Sequence, residues 1–510
     1  MKRSKAMFYN LIIMTASTIF MRFVAISFNV YVTNKLGAYG VGVYALITSV
    51  GGFAVTFATS GINLASTRMT AAAIGRGSEI AVRQAMRKCM IYSLCFGIAG
   101  SVGLAALSSP ISTHLLGDPE CILPLRIMSI SLPCISLSSA MYGYFTAQRR
   151  VVKSSAGQIF EQFIRIGASV ALLSVLLPRG TKYACVAVVA GGTISEVASF
   201  LFSYIMYRRD LAKHVGGSGV PEKHTTRRLL GISLPIAFTT YVRSGLVTVE
   251  HLLIPRGLKK FGSSPERALA SYGVLHGMVF PVILFPQTVM SAFAGLLVPE
   301  ISECQARGEY ERISHIASRV FQTALGFSCG VAGIMLCFSD LLGHAIYNNA
   351  EAGTMIRVLA PLIPVMYVDH VVDGMLKGLG EQLYSMKVNV ADALMSTILV
   401  YFLVPVWGVY GYVAIVIAME IVNASLSIYK LLSRTSVKIM IWKWLIKPVA
   451  CVACATALTG QILRRLSCNV SLKLDATVAV LISAALYYTF MRVCGGVTRS
   501  DVEWFKKSVR

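Results

Sequence analysis

The sequence predicts an all-α integral membrane protein with about fourteen transmembrane helices, arranged as two six-helix lobes followed by two extra C-terminal helices. Three observations support this prediction: the apolar composition, a series of apolar segments of membrane-spanning length, and a diverged internal repeat. Of the 510 residues, 55% are hydrophobic and only 14% are charged, and the mean hydropathy is +0.67. A soluble core needs far less apolar surface, so the chain is predicted to cross a membrane many times.

The apolar segments give the number of spans. A spanning helix needs about 20 predominantly apolar residues, and the chain contains fourteen such segments, at 7–31, 41–66, 88–108, 123–146, 156–177, 184–206, 229–254, 270–298, 318–339, 355–376, 384–404, 410–432, 445–463 and 475–493. The basic N-terminus imitates a signal peptide, but the first apolar run contains Arg22 and lacks a small-residue cleavage site, so we predict a retained first span. An even number of spans places both termini on one side.

The positions of lysine and arginine predict which side that is. With the N-terminus in the cytoplasm, 32 of the 47 Lys and Arg residues fall in the inner tails and loops, and ten fall in the outer loops. Basic residues prefer the cytoplasmic side of a bilayer. We therefore predict a multi-pass protein of the cytoplasmic membrane with both termini in the cytoplasm, and with one local exception at 256–267.

An internal repeat relates the stretch 121–165 to the stretch 352–396, at an offset of about 231 in the residue numbering. The shift needs no gap and keeps each matched residue at the same place in its apolar segment. The matched pairs are Glu120 with Glu351, Arg126 with Arg357, Pro133 with Pro364, Gly143 with Gly374 and Glu161 with Asp392. Duplicated membrane halves are typical of transporters.

The repeat and the spans together predict the domain organisation. Residues 1–206 form an N-terminal lobe of six helices, 207–228 form a basic cytoplasmic linker, and 229–432 form a C-terminal lobe of six helices. Residues 433–510 form two further helices and a cytoplasmic tail. No segment is predicted to be a soluble domain.

Several charged residues lie inside the predicted spans. An unpaired charge at the bilayer centre costs roughly 2.5 to 3.5 kcal/mol on insertion scales, so such residues face a bundle interior or a watery cavity. They are Arg22, Glu161, Arg165, Glu196, Arg243, Glu250, Asp369, Asp373, Lys377, Asp392 and Glu420. These residues are the candidates for substrate binding and for coupling.

Spacing along a helix sorts the candidates into groups. Arg243 and Glu250 are seven residues apart and share a helix face, and Asp369, Asp373 and Lys377 form a single stripe. Each group fits two interpretations. It is either an internal ion pair that holds helices together, or a coupling site that takes up a cation or proton during transport.

The pair Glu161 and Arg165 supports both interpretations. The two residues are four apart, so they share a helix face and lie within pairing range. At the repeat-equivalent position, Asp392 has Met395 and Ser396 on its following turn instead of an arginine. The two halves therefore differ here, which favours a working role for Glu161 and Asp392 in coupling.

Three arginines deep in the first seven spans, Arg22, Arg165 and Arg243, predict an interior that attracts anions. Arg22 has no carboxylate at helical spacing in its own segment, so its partner must come from another helix or from a ligand. The guanidinium fork suits phosphate oxygens, and a lipid-linked diphosphate is one such anion. We predict these three arginines as substrate-binding residues.

Five stretches carry a resemblance to the multidrug/oligosaccharidyl-lipid/polysaccharide (MOP) flippase superfamily, most of all to its polysaccharide-transporter branch. They are MRFVAISFNVYVTNKLGAYGVGVYAL at 21–46, YGYFTAQRRVVKSSAGQIFEQFIRI at 142–166, SLPIAFTTYVRSGLVTVEHLLIPRGL at 233–258, FPQTVMSAFAGLLVPEIS at 285–302 and GMLKGLG at 374–380. The resemblance covers nearly the whole chain. It depends on the order and spacing of these stretches, since none of them is diagnostic alone.

The resemblance implies two lobes around a central cleft, alternating access, and a lipid-linked saccharide carried from the inner to the outer leaflet for cell-wall, cortex or polysaccharide synthesis. Arg22 falls where the lipid II branch of the superfamily has a cavity arginine. Phe28 stands where that branch has a second one, and a further cavity arginine is missing around Phe280. These departures argue against lipid II itself and leave a lipid diphosphate as the expected ligand.

Other functions remain as alternatives. A cation-coupled multidrug antiporter of the same superfamily is the first, although an arginine-rich cavity should repel cations. A non-transporting membrane scaffold and an intramembrane enzyme are the others. Asp369 and Asp373 are the one close carboxylate pair, Lys377 beside them favours a structural role, and a single CxxC at Cys451 and Cys454 is too little for a metal site.

We therefore expect no enzyme activity, no catalytic residues, no bound metal and no cofactor. Coupling to Na⁺, H⁺ or the membrane potential is expected to drive transport. The net charge of +24 is spread in short clusters between apolar runs, so nucleic-acid binding is not expected. The expected partners are a lipid-linked saccharide and membrane lipids, and the expected state is a monomer.

Overall fold

The computed structural model describes residues 2–148, 151–212, 224–435, 437, 440–466 and 472–496. Every regular element in these ranges is a helix, as the sequence predicts. Contacts divide the chain into two units, which comprise Met1–Arg256 with Ser264–Gly273 and Gly257–Ser263 with Val274–Arg510. The grouping into six, six and two helices stays a prediction, and parts of the predicted linker (213–223) and tail (497–510) lie outside the described residues.

The first unit is built from long apolar helices. In the described ranges they are α1 (Lys2–Thr59), α2 (Ile62–Gly75), α3 (Glu79–Pro110), α4 (Ile122–Ala147), α5 (Val151–Leu176), α6 (Thr181–Ala212), most of α7 (Thr225–Lys260) and α8 (Pro265–Gly273). The boundaries follow local chemistry, as at α3, where the Ser78 hydroxyl accepts a hydrogen bond from the Ala81 amide at 3.2 Å. Such a cap satisfies an amide that the first helical turn leaves unpaired.

The second unit is also built from helices. Its helices in the described ranges are α9 (Phe280–Leu284), α10 (Gln287–Ala306), α11 (Tyr310–Cys337), α12 (Ser339–Tyr347), α13 (Ala350–Leu359), α14 (Ile363–Gly378), α15 (Gln382–Arg434), α16 (Lys447–Leu466) and α17 (Leu472–Val493). Pro361 and Pro364 stand at the short 3₁₀ turn that joins α13 to α14. Proline is tolerated there because a new helix begins and needs no donor.

Twelve helical stretches within the described residues are long and apolar enough to cross a membrane. Two of them, Phe20–Gly75 and Gln382–Arg434, contain 56 and 53 residues. A straight helix of that length would measure roughly 80 Å, more than twice the hydrocarbon thickness of a bilayer. Each contains a glycine with left-handed φ, Gly37 at 68° and Gly408 at 61°, where the sequence predicts the loop between two spans. The predicted count of fourteen crossings stays a prediction.

The structure confirms the internal repeat, because matched residues make matched contacts. In the first unit Arg126 Nε donates a hydrogen bond to Ser108 Oγ at 3.1 Å. In the second unit Arg357 Nε donates to Ser339 Oγ, also at 3.1 Å. Both the arginine and the serine are shifted by the offset that the repeat predicts.

The matched glycines also occupy equivalent positions. Gly143 on α4 lies against α2, where a Cβ would come within 2.5 Å of the Asn63 carbonyl oxygen. Gly374 on α14 lies against α10, where a Cβ would meet that of Ala294 at 3.0 Å. Asn63 and Ala294 are again related by the offset of the repeat. Glycine lets the two helices approach closely in each unit.

A break between α1 and α2 interrupts a membrane helix at Ser60 and Gly61, which have φ of 42° and 69°. The carbonyl groups freed by the break are satisfied by two tyrosines. The Tyr241 hydroxyl donates to the Phe57 carbonyl oxygen at 3.2 Å, and the Tyr92 hydroxyl donates to the Ser60 carbonyl oxygen at 3.2 Å. Such partners are required where no water is present to solvate a broken helix.

A buried ion pair joins α5 to α6. Lys153 Nζ lies 2.5 Å from Asp210 Oδ1, and the Asp210 side chain is fully buried. The Tyr144 hydroxyl on α4 donates to Asp210 Oδ2 at 3.2 Å. Three helices of the first unit are therefore fixed to each other by one carboxylate.

Candidate functional site

One arginine shared by two carboxylates forms the centre of the candidate site. Arg165 Nη2 on α5 donates to Glu161 Oε1 at 2.6 Å and to Glu196 Oε1 on α6 at 3.1 Å. Arg165 Nε also donates to Ser195 Oγ at 3.4 Å, and the Ser199 hydroxyl donates to Glu161 Oε2 at 3.3 Å. One guanidinium group thus serves two carboxyl groups.

This arrangement follows partly from the sequence. The spacing of four residues places Glu161 and Arg165 on one face of α5, and the predicted pair forms. Glu196 is among the charged residues that the sequence places within spans, but its pairing with Arg165 was missed. No spacing rule connects residues on different helices, so only the packing of α5 against α6 brings Glu196 to the arginine.

A cavity of about 320 Å³ opens beside this set of charges. Arg22 and Ala25 on α1 line one side, and Gln158, Glu161 and Gln162 on α5 line the other. Arg22 and Glu161, both predicted as site residues, are therefore brought to one cavity. Arg165 does not line the cavity but binds Glu161, which does.

Arg22 is exposed and makes no ion pair with any residue that the structure describes. It lies about 22 Å along α1 from the kink at Gly37, at 1.5 Å per residue, and thus well within the first predicted span. An arginine at this depth needs water or an anion as its partner. The cavity supplies room for either.

Arg243 does not line this cavity. It is exposed on α7, between Tyr241 and Ser244, and in the described part of the chain it has no ion-pair partner. Glu250 lies seven residues further along α7 and is half-buried. The predicted substrate role of Arg243 therefore stays a prediction.

The predicted stripe on α14 divides into two parts. Lys377 Nζ lies 2.6 Å from Asp373 Oδ2, as four-residue spacing predicts, and the Ser385 hydroxyl donates to the same aspartate. Asp369, one turn earlier on α14, is not a member of that ion pair. One of its carboxylate oxygens is buried without a hydrogen-bond partner among the described residues.

Asp369 lies within electrostatic range of three other carboxylates. One is Asp373 on its own helix, and the others are Asp392 and Glu420, both half-buried on α15. In the first unit, the position that is repeat-equivalent to Asp392 carries Glu161, which pairs with Arg165. The two halves therefore differ, as the sequence predicts: Glu161 and Glu196 share Arg165 in the first unit, and Asp392 lies near Asp369 and Glu420 in the second.

Family comparisons agree with this architecture. Residues 8–305, more than half of the chain, match the family model described as polysaccharide biosynthesis protein, and residues 260–402 match the MatE model. Stage V sporulation protein B of Bacillus subtilis (strain 168) is 24% identical over 406 residues, which cover 77% of each protein. Sporulation protein YkvU of the same organism is 22% identical over 340 residues, which cover 65% of this chain and 74% of that protein.

Solved structures share the fold. Lipid II flippase MurJ in an inward closed conformation superposes with a TM-score of 0.69 at 12% identity, over 94% of this chain and 98% of that chain. An inward-facing multidrug resistance MATE family transporter of the MOP superfamily gives a TM-score of 0.65 at 13% identity, over 82% and 94%. The predicted all-α membrane fold and the predicted resemblance are confirmed. The chain therefore belongs to the polysaccharide biosynthesis protein family of the multidrug/oligosaccharidyl-lipid/polysaccharide flippase superfamily.

Proposed function

We propose that this protein is a flippase that carries a lipid-linked saccharide from the inner to the outer leaflet of the cytoplasmic membrane by alternating access. The substrate class is an undecaprenyl-diphosphate oligosaccharide or a peptidoglycan precursor. Support comes from the family membership, from the sporulation protein names of two relatives, and from the fold shared with a lipid II flippase. The setting that fits these names is cortex or cell-wall synthesis.

The observation that carries the proposal is Arg22 at the polar cavity. An arginine within a span that has no protein counter-ion among the described residues must be solvated by water or bind an anionic ligand. Phosphate oxygens accept two parallel hydrogen bonds from a guanidinium group. The diphosphate of a lipid-linked saccharide is therefore the anion that we assign to Arg22. Arg243 stays a predicted second contact to the same group.

The membrane placement belongs to the same proposal. Both termini face the cytoplasm, the working protein is a monomer, and membrane lipids are its surroundings. The excess of lysine and arginine in alternate loops supports this orientation. No step of the transport requires a cofactor.

We also propose that carboxylates couple flipping to Na⁺, H⁺ or the membrane potential. Glu161 shares its arginine with Glu196, so it can exchange that partner for a proton or cation when α5 and α6 shift. Asp392 at the repeat-equivalent position supports the idea, because it lies within electrostatic range of Asp369 and Glu420. Asp373 and Lys377 form a closed pair and fit a structural role.

The test is flipping of a fluorescent undecaprenyl-diphosphate saccharide by the purified full-length protein in proteoliposomes. Arg22→Ala and Arg243→Ala should abolish flipping while expression and melting temperature stay near those of the wild type. Arg126→Ala is the matched control, since Arg126 bonds Ser108 outside the cavity. Normal flipping by Arg22→Ala would contradict the proposed diphosphate site.

A cation-coupled multidrug antiporter is the second candidate. The MatE match over 260–402 and the excess carboxylates near Asp369 favour it. A binding pocket for organic cations would need such carboxylates and no arginine. Efflux of a cationic dye from cells that express this protein, abolished by Asp369→Asn and unaffected by Arg22→Ala, would favour the antiporter over the flippase.

A further inference from the structure

The cavity beside Arg22 is lined on α5 by three uncharged polar side chains. They are Ser155, Gln158 and Gln162. Their spacing of three and four residues places them on one face of the helix. We call this row the amide face. The side chain of Phe163, by contrast, is 57% exposed and is not part of the cavity wall.

The two amides of this face are unusual for a membrane helix. Gln158 and Gln162 lie inside the stretch Val152–Arg179, which is apolar enough to span a bilayer. Neither glutamine is hydrogen-bonded to another residue of the described ranges. Polar groups left unpaired in hydrocarbon carry a large free-energy cost, so side chains of this kind face water or a polar ligand.

The chemistry of the amide face differs from that of Arg22. Each glutamine offers two donors and one acceptor, and a serine hydroxyl offers both functions. Such mixed groups match neutral hydroxyl and acetamido groups, which also donate and accept. Glu161 borders the same cavity, and its negative charge disfavours a phosphate on the α5 side. Arg22, on the α1 side, attracts phosphate.

We propose that the amide face binds the first sugar of the lipid-linked substrate, and that it thereby lets the protein distinguish a saccharide-bearing lipid from a bare lipid diphosphate. This inference rests on the proposed flippase function and adds a specificity site to it. The cavity, about 320 Å³, is near the lower end of volumes typical of small-molecule sites, about 300 to 1,000 Å³. It suits a sugar ring better than a long lipid chain.

Binding to the purified full-length protein in detergent tests the proposal, with two probes measured by native mass spectrometry. One probe is undecaprenyl diphosphate, and the other is the same lipid carrying an N-acetylated disaccharide. The wild type should bind the disaccharide lipid more tightly. Gln158→Ala and Gln162→Ala should each weaken that binding about two- to tenfold, the loss expected for one neutral hydrogen bond, and should leave the bare lipid unaffected.

Controls separate this proposal from the function on which it rests. Phe163→Ala changes the same helix outside the cavity and should bind both lipids as the wild type does. Alanine favours helix, so the glutamine variants should fold. Equal loss of both lipids in the glutamine variants, or equal affinity of the wild type for both lipids, overturns the amide face as a sugar site. If the wild type binds neither lipid, the flippase proposal fails as well.

Discussion

Replacing Arg165 should destabilise the first unit much more than replacing Glu161. One arginine serves two carboxylates, at 2.6 Å from Glu161 and 3.1 Å from Glu196. Glu161→Gln removes one of the two carboxylates and leaves Arg165 paired with Glu196. Arg165→Gln removes the one positive charge and leaves two carboxylates that repel each other.

The distances set the size of the effect. At an effective dielectric constant of about 20, each contact is worth roughly 5 to 6 kcal/mol before desolvation is subtracted. Removing one partner from a buried pair typically costs about 3 to 5 kcal/mol. The side chains of Glu161, Glu196 and Arg165 are 18%, 22% and 34% exposed, which favours the lower end. We expect Arg165→Gln to lose about 3 kcal/mol and Glu161→Gln to lose much less.

Melting temperatures in detergent, followed by fluorescence-detected size-exclusion chromatography, measure this difference. A loss of that size lowers the melting temperature on the order of 5 to 10 °C in a unit of this length. The double variant Glu161→Gln, Arg165→Gln should lie between the two single variants, because Glu196 keeps its charge. Adding Glu196→Gln should recover most of the loss. Equal losses for Arg165→Gln and Glu161→Gln, or no recovery in the triple variant, would refute the shared-arginine argument.

Three further outcomes are expected. Lys153→Met should lower the melting temperature, because it removes the ammonium group that lies 2.5 Å from the fully buried Asp210 carboxylate. The double variant Lys153→Met, Asp210→Leu should recover part of that loss, and an unchanged melting temperature in Lys153→Met would contradict the stabilising role of the ion pair. Although desolvation acts in the opposite direction, hydrogen bonds from Lys430 and Arg434 hold the pKa of the Glu381 carboxyl below its usual range. The ionised carboxyl therefore stabilises the fold above its unfolded pKa, and this stabilisation is lost as the pH falls through the folded pKa. Between pH 7 and pH 3, the melting temperature of Glu381→Gln should thus fall less than that of the wild type. Arg76→Cys should react with an impermeant maleimide only after cells are opened, and Thr113→Cys should react in intact cells; the reverse pattern would overturn the predicted orientation.

The sequence predicts the fold well because the bilayer restricts what the chain can form. Apolar length decides which segments are helices, and the gapless offset between the two halves predicts the contacts that Arg126 and Arg357 each make with a serine. The family resemblance was equally accessible, since it depends on order and spacing along the chain. These signals lie in the order and spacing of residues along the chain, so they persist where sequence identity to relatives is low.

In the candidate site, the sequence predicts only those ion pairs whose two residues lie on the same helix. Glu161 with Arg165 and Asp373 with Lys377 follow from four-residue spacing. The pairing of Glu196 with Arg165 and the buried Asp210 depend on which helices pack together, which no periodicity reports. Gln158 and Gln162 carry no charge, so they did not stand out among the polar residues of their span. A search for uncharged polar residues at helical spacing would have found them.

The break at Ser60 and Gly61 has a consequence for the order of assembly. Tyr92 follows Ser60 by 32 residues, whereas the hydroxyl of Tyr241 reaches Ser60 from 181 residues later in the chain. At a synthesis rate of about 5 to 20 residues per second, the first tyrosine is made within roughly 2 to 6 s of Ser60 and the second after roughly 10 to 40 s. The nascent chain must therefore hold the Phe57 carbonyl in water or against the insertion machinery for most of that interval. The bend in the second predicted span reaches its final form only when α7 enters the membrane.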